Sequence, residues 1–556
     1  MEKAMREYER WLCAQCVSAE EKEAMRALSA EEIVDCFGTD IAFGTAGLRG
    51  VMAPGTNRMN RFTVRRAAAG IAGWIAGTGK KDPMVAIAYD SRNHSAEYAM
   101  ETALVLAAHG VQARLFESLR PTPELSYAVR RLHADAGVVI TASHNPSAYN
   151  GFKAYGPDGG QMANEAADAC LAKMNEVDLL NVPSMEQEEA LAKGLLVMLG
   201  EDIDQHYIAH VLSQRTQPDI TRTAKQPLKL VYTALHGAGA VPCLRVFKEA
   251  GHTEVYPVEE QLAPDGNFPT VTSPNPETPS ALAMGRELAD KVGADTVLGT
   301  DPDSDRAAVC VRVKDGWKQL TGNQMGCLLL EYLLRTGHYS AGAYAVTSIV
   351  STRMVEEIAR AYNAEMNLVL TGFKYIAEII ENKSREGIDA FVLGFEESCG
   401  YLTGGYIRDK DAVIASLLIA DMALYYQEKG MTLADALEEM YGRYGYFMEK
   451  TVNVQAEGVG AMERIAKAVD ALRAQGPAAF AAFGPCRMED LLNDRSRGLP
   501  KSNVLLYTFE NGWAAVRPSG TEPKLKVYLG VRGESAAHAE ELLAKLVDCA
   551  GKAVEL

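Results

Sequence analysis

What most constrains this chain is a repeated alternation of short apolar runs with longer segments of helical spacing. "MVAIAYD" (residues 84–90) reads as a buried strand. "SAEYAMETALVLAAHG" follows with helical periodicity, an N-cap expected at Ser95 and a stop at Gly110. "VQARLFE" and "DAGVVIT" are strands again, and the pattern returns in "LKLVYTAL", "ADTVLGT", "AAVCVRV", "AYAVTSIV" and "DAFVLGF". Strands alternating with helices in this way imply α/β units on mixed or parallel sheets. A length of 556 residues suggests three or four such domains.

Seams between domains are expected at polar or Pro-rich stretches: 213–227 ("SQRTQPDITRTAKQP"), near "DGWKQLTGNQ", and after the helical "MTLADALEEMYGRYG". These divide the chain into 1–212, 213–322, 323–446 and 447–556. The last range has a different texture. A helix is followed by "NVLLYTFENGWAAVRPSG" and "KLKVYLGVRG", where "ENG" between two strands is a hairpin signal, and then by a terminal helix. That reads as a small α+β domain. The first forty or so residues read as a helical extension packed on the first domain.

Charge narrows the partners. With 56 basic against 73 acidic residues the net charge is −17, which disfavours nucleic acid and anionic membranes, both polyanions. A few clustered Arg and Lys can still hold one phosphate. Ten scattered cysteines suit a reducing cytoplasm better than a disulfide framework. Cys399 is a candidate reactive thiol. Cys13 and Cys16 form a lone C-x-x-C with no second pair at zinc-site spacing, open to a metal or redox role or to chance on a helix surface. The N-terminus has no signal-peptide apolar core, and the longest apolar stretch, "AVIASLLIADMALYY", is too short to span a bilayer and contains Asp421. A cytoplasmic protein is expected.

Five stretches carry candidate chemistry, most of them at strand ends, where ligand sites of α/β sheets collect. In "FGTAGLRG" (43–50), glycines free the backbone N–H groups for an anion and Arg49 adds a charged fork; a structural glycine turn is the alternative. In "TASHNPSAYNGFKAY" (141–155), Ser143 follows a buried strand without the G-x-S-x-G flanks of an esterase elbow. It is either part of a polar turn or a nucleophile and phosphoryl carrier, with His144 and Lys153 near enough for proton or charge work. "GTDPDSDR" (299–306) is the most specific of the five. Asp301, Asp303 and Asp305 repel one another unless a cation sits among them, so a divalent metal is the economical reading. It is no EF-hand, because Arg306 and Arg312 stand where that loop needs Gly and Glu. A phosphate oxygen could complete the coordination, which makes a phosphate on Ser143 a plausible missing ligand. In "GFEESCGY" (394–401), Glu396 and Glu397 are either sugar-hydroxyl acceptors or surface charge, and Lys410 in the following "IRDKD" could move a proton or hold a phosphate. "RPSGTEPKLKVY" (517–528) gathers Arg517, Ser519, Gly520 and Thr521 as donors for a non-transferring phosphate.

In this order and at domain-scale spacing, the five stretches resemble the loops of the α-D-phosphohexomutase family, over nearly the whole chain from Phe43 to Tyr528. "TASHNPSAYNGFK" is similar to its phosphoserine loop, "GTDPDSDR" to its metal loop, "GFEESCGY" to its sugar loop and "RPSGTEPK" to its phosphate loop. "TGFKYI" (371–376), with Lys374, resembles the loop that helps distinguish sugar orientations. "RDKDA" is closer to the phosphoglucomutase side of the family; bacterial phosphomannomutases usually carry Gly-His where Cys399 and Gly400 stand here.

The resemblance implies a four-domain, heart-shaped enzyme, three α/β domains with mixed sheets plus the smaller C-terminal one, with the active site in the central cleft. It implies Mg²⁺ held by Ser143, Asp301, Asp303 and Asp305, and a phosphoserine enzyme acting through glucose 1,6-bisphosphate. Catalytic roles would fall to Ser143, His144, Lys153, Lys410 and Arg49. Substrate contacts would fall to Lys374, Glu396, Ser398, Arg517, Ser519, Gly520 and Thr521. The expected activity interconverts glucose 1-phosphate and glucose 6-phosphate, with mannose or pentose phosphates as alternatives. The expected partner is a small sugar phosphate and the expected state a monomer or weak homodimer. A metal-dependent phosphatase and a silent sugar-phosphate sensor are the competing classes.

Overall fold

The computed structural model describes residues 1–44, 47–339, 342–456, 458, 460–519 and 524–554. Two compact units result: Met1–Thr321 with Ala377–Phe391 and Ser398–Gly430, and Gly322–Ile376 with Val392–Glu397 and Met431–Leu556.

Two mixed sheets organise the first unit. One contains β1 (Gly47–Val51), β2 (Met84–Tyr89), β3 (Gln112–Phe116), β4 (Ala136–Ile140), β5 (Tyr149–Tyr155) and β6 (Leu196–Leu199), in the order β1-β5-β4-β2-β3-β6. The central pairs β4–β2, β2–β3 and β3–β6 are parallel, whereas β5 runs antiparallel to both β4 and β1. This explains the sequence texture. β4 is buried along its whole length, as an interior parallel strand covered on both faces must be, and reads as an unbroken apolar run. The second sheet holds β7 (Lys229–Thr233), β8 (Glu254–Pro257), β9 (Thr296–Thr300), β10 (Ala307–Val313) and β11 (Gly316–Leu320), ordered β11-β10-β9-β7-β8. "DGWKQL", expected at a seam, is therefore largely β11, paired antiparallel with β10.

Three helices precede the first sheet: Glu2–Cys13, Ala19–Arg26 and Ala30–Phe37. Ser18 and Ser29 each start a helix with a reciprocal capping box. Trp11 and Phe37 pack with Phe62, Leu179 and Leu180 in one apolar cluster, so the extension is seated on the first domain as expected. Ser95 is the first helical residue rather than the N-cap. The cap position is His94, in a left-handed conformation, and the Ser95 hydroxyl donates instead to Asp90. The apolar stretch around Asp421 forms the helix Ala412–Gln427. Asp421 is fully buried there, in an ion pair with Arg215 at 2.7 Å and beside His252 at 2.9 Å, the pairing that a buried charge requires.

The second unit contains β12 (Tyr344–Ser348), parallel to β13 (Glu365–Val369), and, on the other side of β12, β14 (Phe391–Glu396) from Val392 onward; the short strand β15 (Gly400–Leu402) falls in the first unit. The second unit also carries an antiparallel sheet of β16 (Tyr446–Gln455), β17 (Cys486–Asp490), β18 (Leu505–Phe509), β19 (Gly512–Pro518) and β20 (Lys524–Gly533), ordered β16-β20-β19-β18-β17. β18 and β19 form the hairpin that "ENG" announces. The helices Ala461–Gln475 and Ala536–Ala553 contribute to the core of this sheet. The fold class is thus as expected: α/β domains with mixed sheets and a C-terminal α+β domain. Among the described residues no helix is long and apolar enough to cross a membrane.

Candidate active site

Within the first unit, the ends of β4 and β9 bring Ser143 together with the aspartate loop. Ser143 lies just beyond β4, 5% exposed, with a φ of 51°. Its Oγ donates to Asp301 Oδ2 at 2.7 Å and lies 3.3 Å from His144 Nδ1. Beyond β9, Asp301, Asp303 and Asp305 are all buried, each offering a ligand oxygen within 4.8 Å of the others. They form the one such group of potential metal ligands found among the described residues; Cys13 and Cys16 join none. Asp301 Oδ1 accepts the backbone N–H groups of Asp305 and Arg306, which curls the loop. Asp303 Oδ1 and Asp305 Oδ1 are buried without a hydrogen-bond partner, a costly state unless a cation takes them. An oxygen-only donor set suits a hard divalent ion such as Mg²⁺. The residues present fit the metal that the sequence implies.

Besides Arg306, whose Nε lies 3.7 Å from Asp305 Oδ1, three cations border this cluster. Lys153, on β5 between β4 and β1, donates to Asp303 at 2.7 Å and Asp305 at 3.4 Å. Lys410 Nζ lies 3.3 Å from both Asp305 and Asp409. Arg49, on β1, is exposed and donates to Asn145 of the serine loop at 3.3 Å. Burial pushes Asp301 well up, and Asp303 and Asp305 add to the rise. For Asp305 the burial effect is outweighed by Lys410 and Lys153, which pull it below the usual carboxylate range. Lys153 is raised despite its burial because Asp303 and Asp305 face it. Burial, with Arg306 nearby, holds His144 down to about 3, so its ring is neutral.

Ser398, half-buried, belongs to the first unit, and beyond it Cys399 is buried with a φ of 61°. Burial also drives the Cys399 thiol far up, so the structure does not support it as a reactive thiol.

Within the second unit, Glu396 ends β14, is 7% exposed and accepts the Gly372 N–H at 2.9 Å. The Glu396 carboxylate is thereby tied to the turn that leads into the helix Phe373–Arg385, where the Lys374 ammonium lies 5.1 Å from the Tyr375 ring centroid. Glu397 accepts from Ser348 and Ser351, so neither glutamate is idle surface charge. Arg517 sits near the end of β19, and the Ser519 N–H donates to the Lys524 carbonyl at 2.8 Å. Gly520 and Thr521 lie outside the described residues.

Sequence reasoning missed two groups. Thr122, first residue of the helix Thr122–Leu132, donates its N–H to the Asp303 carbonyl and its hydroxyl to Asp303 Oδ2 at 3.0 Å. Its only sequence signal was its place at a helix start after β3. Arg92, just past β2, contacts the serine loop through its backbone carbonyls, and Asp90 accepts the Thr141 hydroxyl at 2.6 Å, contacts that no side-chain motif reveals.

Four family models match the chain in order: the phosphoglucomutase/phosphomannomutase alpha/beta/alpha domains I, II and III over residues 40–180, 205–315 and 321–444, and the C-terminal domain over 452–548. The chain belongs to the phosphoglucomutase/phosphomannomutase family. It is 35% identical over 535 residues to the phosphoglucomutase of Staphylococcus epidermidis RP62A, covering 94% of this chain and 95% of that one. The phosphoglucomutase of Staphylococcus saprophyticus is 34% identical over 508 residues, 89% of this chain and 91% of its own. Among solved structures, a Paramecium exocytosis-sensitive phosphoprotein (parafusin, a phosphoglucomutase) in its open form superposes with a TM-score of 0.72 over 93% of this chain and 95% of that one. At 14% identity, that likeness concerns the fold. Membership of the phosphoglucomutase/phosphomannomutase family makes the chain a phosphohexomutase enzyme.

Proposed function

We propose that the protein is a phosphoglucomutase, interconverting α-D-glucose 1-phosphate and glucose 6-phosphate through a phosphorylated Ser143. The observation that carries this reading is the Ser143 hydroxyl at 2.7 Å from Asp301, in a buried trio of carboxylates with two orphaned oxygens. The relatives named phosphoglucomutase support glucose as the sugar.

In this reading Ser143 Oγ gives its phosphoryl group to one hydroxyl of a sugar monophosphate, and that hydroxyl's proton leaves to a base. The bisphosphate turns over, and Ser143 Oγ takes back the phosphoryl group from the other position. Lys153 and Lys410 are the candidates for proton transfer, with neutral His144 beside Ser143 and Arg49 adding charge. Glu396, Ser398 and Lys374 would grip sugar hydroxyls, and Arg517, Ser519, Gly520 and Thr521 the phosphate that stays. Mg²⁺ held by Ser143, Asp301, Asp303 and Asp305 would neutralise phosphoryl charge. The same reading divides the chain into 1–212, 213–322, 323–446 and 447–556. Each sheet falls in one range, apart from Tyr446, the first residue of β16.

Ser143→Ala is expected to abolish isomerisation while keeping the fold, and intact mass should show part of the wild-type protein heavier by one phosphoryl group. A variant with near-normal turnover would sink the mechanism. Turnover on glucose, mannose and ribose 1-phosphates settles the sugar, and a wide margin for ribose would overturn the glucose assignment. Free phosphate released without isomer would mark a phosphatase instead.

A further inference from the structure

The segment just after β2, "DSRNHS", has no evident catalytic side chain, yet it grips Ser143 by its backbone. The Arg92 side chain is completely buried. Its Nη1 donates to the carbonyls of Pro146 at 2.9 Å and Tyr149 at 3.1 Å, and its Nη2 to those of Ser143 and Asn145. Four carbonyls of one loop converge on one guanidinium. Arg92 Nε faces Asp90 Oδ2 at 3.3 Å. The same oxygen accepts the Thr141 hydroxyl at 2.6 Å, and Thr141 Oγ1 accepts the Ser143 N–H at 2.8 Å. Ser143 is thus held by its carbonyl through Arg92 and by its N–H through Thr141, and Asp90 joins the two holders.

The backbone of Ser143 needs such a grip. A φ of 51° lies in the left-handed region, which serine takes only when its surroundings over-determine it. A loop free to relax would swing Oγ away from Asp301.

We propose that Arg92, anchored by Asp90, is a positioning residue for phosphoryl transfer, fixing the left-handed backbone of Ser143 so that Oγ is aimed into the aspartate trio. This rests on Ser143 being the carrier. Lysine at this place would keep the charge toward Asp90, but its single nitrogen cannot span four carbonyls. Because Arg92 donates to backbone, its loss is expected to act on the rate of transfer rather than on sugar binding.

The test uses Arg92→Lys, Arg92→Ala and Ser143→Ala in the full chain. It reads thermal midpoint, kcat and KM for glucose 1-phosphate, and the rate at which glucose 1,6-bisphosphate phosphorylates Ser143, followed by intact mass. Arg92→Lys is expected to lower kcat and the phosphorylation rate together by roughly 10²-fold, with KM within about twofold and the midpoint near wild type. Millimolar guanidinium is expected to restore part of the rate to Arg92→Ala. Wild-type rates in Arg92→Lys would overturn the proposal. So would rate losses that merely track a falling midpoint, with no rescue by guanidinium. If Arg92→Ala does not fold, Thr141→Val cuts the other arm while keeping the side-chain shape. It should show the same kcat loss at unchanged KM, and unimpaired kcat there is equally fatal. An active Ser143→Ala would remove the carrier assignment itself, whereas an inactive one beside an unimpaired Arg92→Lys removes only the role of Arg92.

Discussion

Asp411 combines two demands that pull its chemistry in opposite directions. As N-cap of the helix Ala412–Gln427 it accepts the N–H groups of Val413 and Ile414, and it also takes hydrogen bonds from the hydroxyls of Tyr207 and Tyr406. All these bonds favour the carboxylate. Burial is complete and outweighs them, pushing the carboxyl from 3.8 up to about 6. A folded-state value above the unfolded one means that the folded chain holds this proton longer. The associated stability is full below about pH 4 and is lost as pH rises through 6, about 3 kcal/mol for a shift of this size. Asp411→Asn keeps an oxygen for the cap and removes the ionisation. Between pH 4 and pH 7 the wild type should therefore lose about 2.5 kcal/mol relative to the variant in urea unfolding. A flat difference between the two curves would show that Asp411 ionises normally. At this scale the sequence exposes residues whose own side chains mark a site, such as Ser143 and the three aspartates. It hides Thr122 and Arg92, which act on the backbone of residues distant in the chain.

Among elements, the interior strands were the most legible, because a strand buried on both faces must be apolar throughout. Ser95 stands where the sequence suggests a cap, but its hydroxyl serves Asp90 rather than its own helix. "DGWKQL" looked like a seam because an edge strand with polar outward positions resembles a loop. Backbone strain was invisible altogether: Ser143, Ser304 and Cys399, one in each of three motif loops, all have left-handed φ. Close backbone contact was equally hidden. The loop after β7 rests on the aspartate loop, with the Ala238 N–H donating to the Pro302 carbonyl. A methyl group on Gly237 would overlap the Pro302 backbone, so one of the two loops must move. Gly237→Ala is accordingly expected to raise the Mg²⁺ concentration for half-maximal activity by on the order of tenfold, the effect of disturbing a ligand's support. A titration of activity against Mg²⁺ reads this directly, and an unchanged midpoint would mean that the metal loop does not depend on that contact.

For the molecule as a whole, the proposed metal site, built from two distant segments, would link catalysis to stability. Ser143 and the aspartates are separated by more than 150 residues and meet only in the folded chain. The unfolded chain offers no such site, so a cation bound there stabilises the fold by mass action. The cluster also has its own counter-charges: Lys153 and Lys410 already draw on Asp303 and Asp305. The metal-free protein should therefore stay folded rather than collapse. Chelation is expected to stop isomerisation while leaving a cooperative unfolding transition. Returning Mg²⁺ to about 100 times its dissociation constant should add about 2.7 kcal/mol of stability. Asp303→Asn with Asp305→Asn should remove that increment, because a divalent ion loses two of its carboxylates at once. Urea unfolding with and without Mg²⁺, on both proteins, makes the comparison. An equal increment in the double variant would place the stabilising ion somewhere other than beside Ser143.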